Sequence, residues 1–354
     1  MFQRTQVGLN HSTGAAAEML AGTLQPIASV AAMVDETRRG HLLTIKLSAL
    51  ARDHGASHDL EAIPFALGAA ATDGVDGWVL LDDQPHRGLG PALAWAVRSR
   101  VERLQILAET ATGVLARRAT AFRLPIEIWH IADRALFPAI AESMPAPLDA
   151  PEAHDQFRSL IIDGGAVPAV EHGVLIGEVR GLEVCRVVTD EFTGAPRLEV
   201  GIGQHDREAF QMLHGDVPTV EALAKVVAAV EPHRRHGADP HPLNRLGREQ
   251  ALRARLIDEP ALVGASRVDA VASPLARPNL KDPQPSVARA VIDGVQTTLV
   301  VSAGVDLDVV PFATDARLVT GCVTGIVVSA RDAFPVQAEI AALLVDPIEI
   351  IPVR

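Results

Sequence analysis

Two stretches of the chain carry short apolar runs that alternate with segments of helical spacing. In the first, Trp78–Leu81 is apolar, PALAWAVRSRV (91–101) is helix-like and Arg103–Glu109 is a second run. Gly113–Phe122 is a second helix, and PIEIWHI (125–131) a third run. In the second stretch TLVVSAG, VPFATDARL, GIVVSARD, PVQAEIAALL and PIEIIPV follow in the same order. Apolar strands separated by helices indicate parallel strands covered by helices. Each stretch therefore reads as a βαβαβ module, and the expected fold class is α/β.

The modules also read as copies of each other. Asp73–Leu81 (DGVDGWVLL) stands 220 residues before Asp293–Val301 (DGVQTTLVV), and the same step carries Pro91 to Pro311 and Ala96 to Ala316. Leu124–Ile128 (LPIEI) matches Asp346–Ile350 (DPIEI) at 222. Ordered anchors at near-constant spacing predict an internal duplication at an offset of about 220 residues.

The segment between has another rhythm. DAPEAHDQFRSLII opens like a helix, and two strands follow, VLIGEVRGLEVCRVV and RLEVGIG, separated by turn residues TDEFTGAP. Asp206 is a good N-cap for DREAFQMLHG, VPTVEALAKVVAAV is a second helix, and EPHRRHGADPHPLN reads as loop before the helix RLGREQALRARLI. The expected organisation is an N-terminal helical extension over 1–60 with a mobile start, a first module over 61–150, a central α+β segment over 151–260 and a second module over 261–354. Within the extension, RRGHLLTIKLSALARDHG is the helical part.

Composition narrows the partners. No apolar stretch approaches the roughly 18 residues of a membrane span, and the N-terminus lacks the apolar block of a secretory signal. Cys185 and Cys322 are too far apart in sequence to suggest a disulfide framework or a CxxC zinc pattern, so the expected setting is cytoplasmic and reduced. A net charge of −12 opposes an extended basic surface for nucleic acid. Of the 32 basic residues only Lys46, Lys225 and Lys281 are lysines; the arginine that makes up the rest suits carboxylate and phosphate ligands. Self-association or a protein partner stays open.

The segment EVRGLEVCRVV…RLEVGIGQHDREAFQML carries the first candidate chemistry. Glu183 and Glu199, on consecutive strands, could hold one hard divalent cation through their oxygens. This arrangement resembles the core of the PD-(D/E)XK nucleases. The resemblance implies a metal-dependent nuclease-like protein, with Mg²⁺ or Mn²⁺ on Glu183 and Glu199 as the metal-binding and catalytic acids. The family's lysine, two residues after the second acid, is Gly201 here, so either catalysis has degenerated or a neighbour such as Gln204, His205 or Arg207 serves; His205 is the catalytic candidate. The same strand, turn and helix contains GxGxxD (Gly201, Gly203, Asp206), a broken dinucleotide fingerprint with an acid where the pyrophosphate would lie, and no nucleotide cofactor is expected.

A second candidate is the loop LDDQPHRGLGP (Leu81–Pro91), which leaves a strand end and enters a helix. Strand C-termini and helix N-termini are where open α/β sheets bind anions. Arg87, Gly88 and Gly90 could cradle a phosphate or carboxylate, with Asp82 and Asp83 nearby and Glu109 on the next strand-end loop. The equivalent loop in the second module carries Asp306 and Asp308, an i, i+2 pair, and no RGxG. His233, His236 and His241 fit no regular zinc spacing. GxSxG, HExxH and the P-loop are absent, which argues against α/β hydrolases, zincins and P-loop NTPases. Three functions follow as expectations: the nuclease-like protein, a binder of a small anionic metabolite or nucleotide at the Arg87 loop, and a non-enzymatic scaffold.

Overall fold

A computed structural model describes residues 35–56, 60–65, 67–214, 220–276 and 283–354; the mobile start expected within 1–60 lies outside them. A helix over 35–53 (α1) precedes a six-stranded sheet. Its strands lie in the order β1 (Ile63–Phe65), β2 (Gly68–Thr72), β3 (Asp76–Leu81), β4 (Arg103–Ala108), β5 (Ile126–Ala132) and β6 (Ala135–Pro138). β3, β4 and β5 are parallel and are linked by α2 (Leu89–Ser99) and α3 (Thr112–Ala119); the flanking strands are antiparallel.

The central segment forms a separate antiparallel sheet, β10–β9–β8–β7, from β7 (Val167–Glu171), β8 (Val174–Val179), β9 (Leu182–Thr189) and β10 (Pro196–Val200). With α4 (Arg158–Asp163), α5 (Gly203–His214) and α6 (Val220–Arg234) it encloses a core of its own. After α7 (Arg248–Asp258) come β11 (Ala265–Val271), β12 (Ser286–Ile292), β13 (Val295–Ser302), β14 (Val323–Ser329) and β15 (Glu349–Val353), with α8 (Val309–Thr320) and α9 (Pro335–Ala342) as crossovers. Again three parallel strands follow an antiparallel pair. The fold is α/β with mixed sheets, and no helix among the described residues is long and apolar enough to cross a membrane.

The layers explain the sequence pattern. The four crossover helices pack against one another between the two sheets and share one core, in which Leu93, Leu115, Phe312 and Ile340 meet Val79, Ile106, Val300 and Ile326. On the outer face of the first sheet, Leu43, Leu47 and Leu50 of α1 cover Leu80 and Leu107. On the outer face of the second, Leu252 and Leu256 of α7 cover Leu299, Val301 and Val327. Parallel strands buried on both faces must read as continuous apolar runs, and these do. The helix of the expected N-terminal extension is thus part of the first module's packing, and α7, which falls within 151–260, packs with the second.

Strand pairing aligns the modules more finely than the anchors do. Val79 pairs with Ala70 and Ile106, as Val300 pairs with Val287 and Ile326, and all six face the shared core. Val79 therefore occupies the place of Val300 rather than Leu299, one residue beyond the 220 step. A one-residue slip would turn each strand's apolar set to the wrong face. Ile128 and Ile350 keep the 222 step, each one strand further on. The turns after the second crossover helices meet: Phe122 bridges Leu344, and the Arg123 amide donates to the Leu343 carbonyl at 2.8 Å.

Three local expectations are corrected. VLIGEVRGLEVCRVV is a hairpin, β8 and β9, because Arg180 and Gly181 both take positive φ and reverse the chain. Helix α6 runs past Pro232 to Arg234, whose buried guanidinium donates to the carbonyls of Arg180, Leu243, Leu246 and Gly247. Asp206 lies in the first turn of α5, which starts at Gly203.

At Gly90 the backbones of the two modules come close together: a Cβ there would fall 2.1 Å from the Leu307 carbonyl oxygen. Gly90→Ala should destabilise the protein by about 2 kcal/mol, because backbone must move to admit the methyl group. Urea denaturation checks this; an unchanged midpoint would mean that the modules do not touch there.

Candidate functional site

A bulge arranges the acids of the central sheet. Gly177 pairs with Cys185 and Glu178 with Glu183, which leaves Val184 as an extra residue in β9, its carbonyl accepting from the Gly201 amide at 2.8 Å. The extra residue brings Glu183 and Arg186, three positions apart, onto one face. The Arg186 guanidinium then grips Glu183 with two bonds, 2.6 and 2.9 Å.

Glu183 and Glu199 do converge, but on arginine. Arg207 of α5 reaches Glu183 with Nη1 at 3.2 Å and Glu199 with Nε at 3.5 Å, and Arg197 holds Glu199 at 2.9 Å. Three guanidinium groups thus face two carboxylates. Burial, then the charge of Arg186, draws the Arg207 pKa below its ordinary value. A divalent cation would add its charge to a cluster already net positive, so these residues do not fit Mg²⁺ or Mn²⁺. Among the described residues no group of three or more His, Cys, Asp or Glu could hold a metal ion.

The other residues named with this pair stand apart from it or are structural. The His205 side chain is fully exposed and lies 3.6 Å from Glu208 on its own helix. Gly201 has φ +140, and a Cβ there would meet the Arg207 amide nitrogen at 2.8 Å, so the chain excludes a lysine at that position.

The Arg87 loop separates into two sides. Asp82 and Glu109, at the ends of β3 and β4, turn towards α1, where Asp82 pairs with Arg39 and Glu109 with Lys46 at 2.5 Å. Asp83 is exposed. Gly88 makes room for Leu81, whose Cδ1 would lie 2.5 Å from an added Cβ, so it packs rather than cradles. Arg87 turns the other way, donating to the Pro283 carbonyl and to Asp306 of the second module at 2.9 Å.

The helix N-terminus at Gly90 has an anion already: the Asp308 carboxylate accepts from the Gly90 amide at 3.1 Å. Asp308 also binds Arg118 at 2.8 Å. Arg118 and Arg117, at the end of α3, share Asp315 of α8 at 2.8 and 2.9 Å. Arg118 and Asp315 are almost wholly buried. Burial opposes the charge on Arg118, but Asp308 and Asp315 together hold its pKa above the ordinary value. Burial pushes Asp308 up to about 6, against the pull of Arg118. Arg117, Arg118 and Asp315 had a signal in the sequence: GVLARRATAF and VPFATDARL each place charge inside an apolar helical run.

Beside this network lies a cavity of about 240 Å³, bounded by Gln84, Arg87, Arg118, Asp306, Asp308 and Phe312 among others. It opens where loops from the C-terminal ends of β3 and β13 meet, so both modules contribute to it. Comparison with known proteins finds no matching family model, no matching curated protein and no matching solved structure.

Two outcomes test the network. Arg118→Met should destabilise by about 3–5 kcal/mol, since it strands Asp308 and Asp315 in the interior. Asp308, with its folded pKa raised, contributes stability that is present below the ordinary Asp range and lost as pH rises through about 6. The stability difference between wild type and Asp308→Asn, followed by denaturant titration from about pH 4 to 7, should change across that interval. A flat difference would mean that Asp308 is ionised throughout.

Proposed function

We propose that the protein binds a small anionic metabolite, a carboxylic acid or a phosphate monoester, in the cavity between its two α/β modules. The observation that carries this reading is the placing of Arg87 on that cavity, at the strand C-termini where open α/β sheets take their ligands. Its guanidinium has five N–H donors, of which the structure uses some on Pro283 and Asp306. An incoming carboxylate can displace Asp306, which lies near the surface end of the ion network. Phe312 and the neighbouring prolines supply an apolar wall, and Gln84 an amide. At about 240 Å³ the cavity lies just below the ~300–1,000 Å³ common for ligand sites, which favours a compact acid over a dinucleotide.

The nuclease-like reading draws no comparable support, because Arg207 already stands between Glu183 and Glu199. The matched register of the two sheets and the matched helices α1 and α7 support descent of the modules from one duplicated unit. The same reading takes the protein as cytoplasmic, in keeping with the free thiols of Cys185 and Cys322.

Thermal unfolding with millimolar succinate, citrate or glycerol phosphate tests the proposal. A ligand at about 100 times its Kd should stabilise by about 2.7 kcal/mol. Arg87→Gln lowers the starting stability, since Asp306 loses its partner, so the readout is the increment each acid adds. An increment in wild type that disappears in Arg87→Gln is expected; equal increments in both, or none in either, would sink the reading.

A further inference from the structure

The outer helices α1 and α7 occupy equivalent places, and two leucines and two cations of each fall at matching positions. Leu43 and Leu47 cover the first sheet as Leu252 and Leu256 cover the second. That fixes the cations: Arg39 corresponds to Arg248, and Lys46 to Arg255. Strand pairing fixes what they face. The residue after β3 is Asp82 and the residue after β4 is Glu109; their counterparts are Ala303 and Ser329.

In the first module each helix cation therefore meets a strand-end acid, Arg39 with Asp82 and Lys46 with Glu109. In the second the cations remain and both acids are gone. The Arg248 side chain has no ion pair or hydrogen bond among the described residues. Arg255 has only Glu259 of its own helix region, at 3.8 Å, and its buried Nε makes no hydrogen bond. Where the acids would project there is a cleft of about 400 Å³, also lined by Arg180, His233 and His236 of the central segment.

We propose that this cleft binds a small ligand carrying two or more phosphate groups, gripped by Arg248 and Arg255 in place of the missing carboxylates. The guanidinium fork matches phosphate oxygens bidentately, and two such forks on one face of α7, two turns or roughly 10 Å apart along the helix, suit a ligand with more than one phosphate better than a single fork does. Arg331 and Arg354 lie on the same rim, and the acids that also line the cleft are already engaged: Asp258 with Arg180 at 2.6 Å, Glu259 with Arg255 at 3.8 Å, and Asp332 with the Gly304 amide at 2.9 Å and Arg331 at 3.8 Å. The chain's net charge of −12 repels a long polyanion but leaves a local, mainly basic cleft open to a short one. This site is distinct from the Arg87 cavity and does not depend on it.

The test is calorimetric titration of the full chain with inorganic pyrophosphate, at low and moderate salt. Wild type should bind, more weakly as salt rises. The exposed Arg248→Ala and the double variant Arg248→Ala/Arg255→Gln should weaken binding at least tenfold, while Arg39→Ala and Arg87→Gln leave it within twofold. Ser329→Glu restores the first module's arrangement; it should abolish pyrophosphate binding and leave the melting temperature equal or higher, which separates loss of the site from loss of the fold. No binding by wild type, or undiminished binding by the double variant or by Ser329→Glu, overturns the proposal. So does tight binding of duplex DNA without binding of pyrophosphate.

Discussion

The packing of the two modules depends on charges that have nowhere to go but each other. Arg118 and Asp315 lie in the middle of the helix layer, almost without solvent, and an unpaired charge there would cost several kcal/mol. Apolar contacts between α2, α3, α8 and α9 tolerate sliding, because one alanine or valine replaces another with little change. A guanidinium held at once by Asp308, Asp315 and the His86 carbonyl does not. The ion network thus fixes the register of one sheet against the other, which in turn brings the loops after β3 and β13 together.

The same pairing accounts for the asymmetry of the modules. The N-terminus of α2 takes its anion from Asp308 across the seam, so a free ligand is not needed to satisfy the Gly90 amide. Arg87 answers Asp306 in the same direction. The second module supplies acids to the seam and the first supplies cations, the arrangement two complementary surfaces need if they are to stay joined without a connecting strand. The central domain is attached by the same device: Arg253 of α7 holds Glu178 of β8 with bonds of 3.0 and 3.1 Å, both buried, and lies 3.4 Å from the Val271 carbonyl of β11.

Much of this architecture was legible in the chain. Parallel strands buried on both faces announce themselves as apolar runs, and both βαβαβ units stand where that rule puts them. The antiparallel strands were harder to see. β2 is GAAAT, with no branched residue before its end, and takes its extended form from its neighbours rather than from propensity. Spacing alone also could not tell a metal pair from an arginine-bridged pair. Glu183 and Glu199 do meet, as two acids on consecutive strands should, yet the residue that decides their chemistry is Arg207, eight positions later on a helix. The Arg87 loop differs from its expectation for a related reason: Asp82 is its neighbour in sequence and Glu109 follows the adjacent strand, but the strand ends turn both to the opposite face of the sheet.

Arginine recurs wherever this protein must bring carboxylates together, at Arg207, Arg118 and Arg253, and in each place it does what a bound cation does elsewhere. It bridges two acids, fixes their geometry with several directed bonds, and needs nothing from solution. A protein with three lysines among 32 basic residues has committed itself to that solution. Its consequence is that buried carboxylates such as Glu178, Glu183, Asp308 and Asp315 each meet a guanidinium, so a place where cations face no carboxylate across a cleft stands out. The outer face of the second module is such a place. There the helix carries cations where its counterpart does, the strand ends carry no acids to meet them, and their charge points into a cleft. Cations without facing acids, on a chain whose net charge of −12 repels long polyanions, are the physical ground on which the proposed small polyphosphate ligand rests.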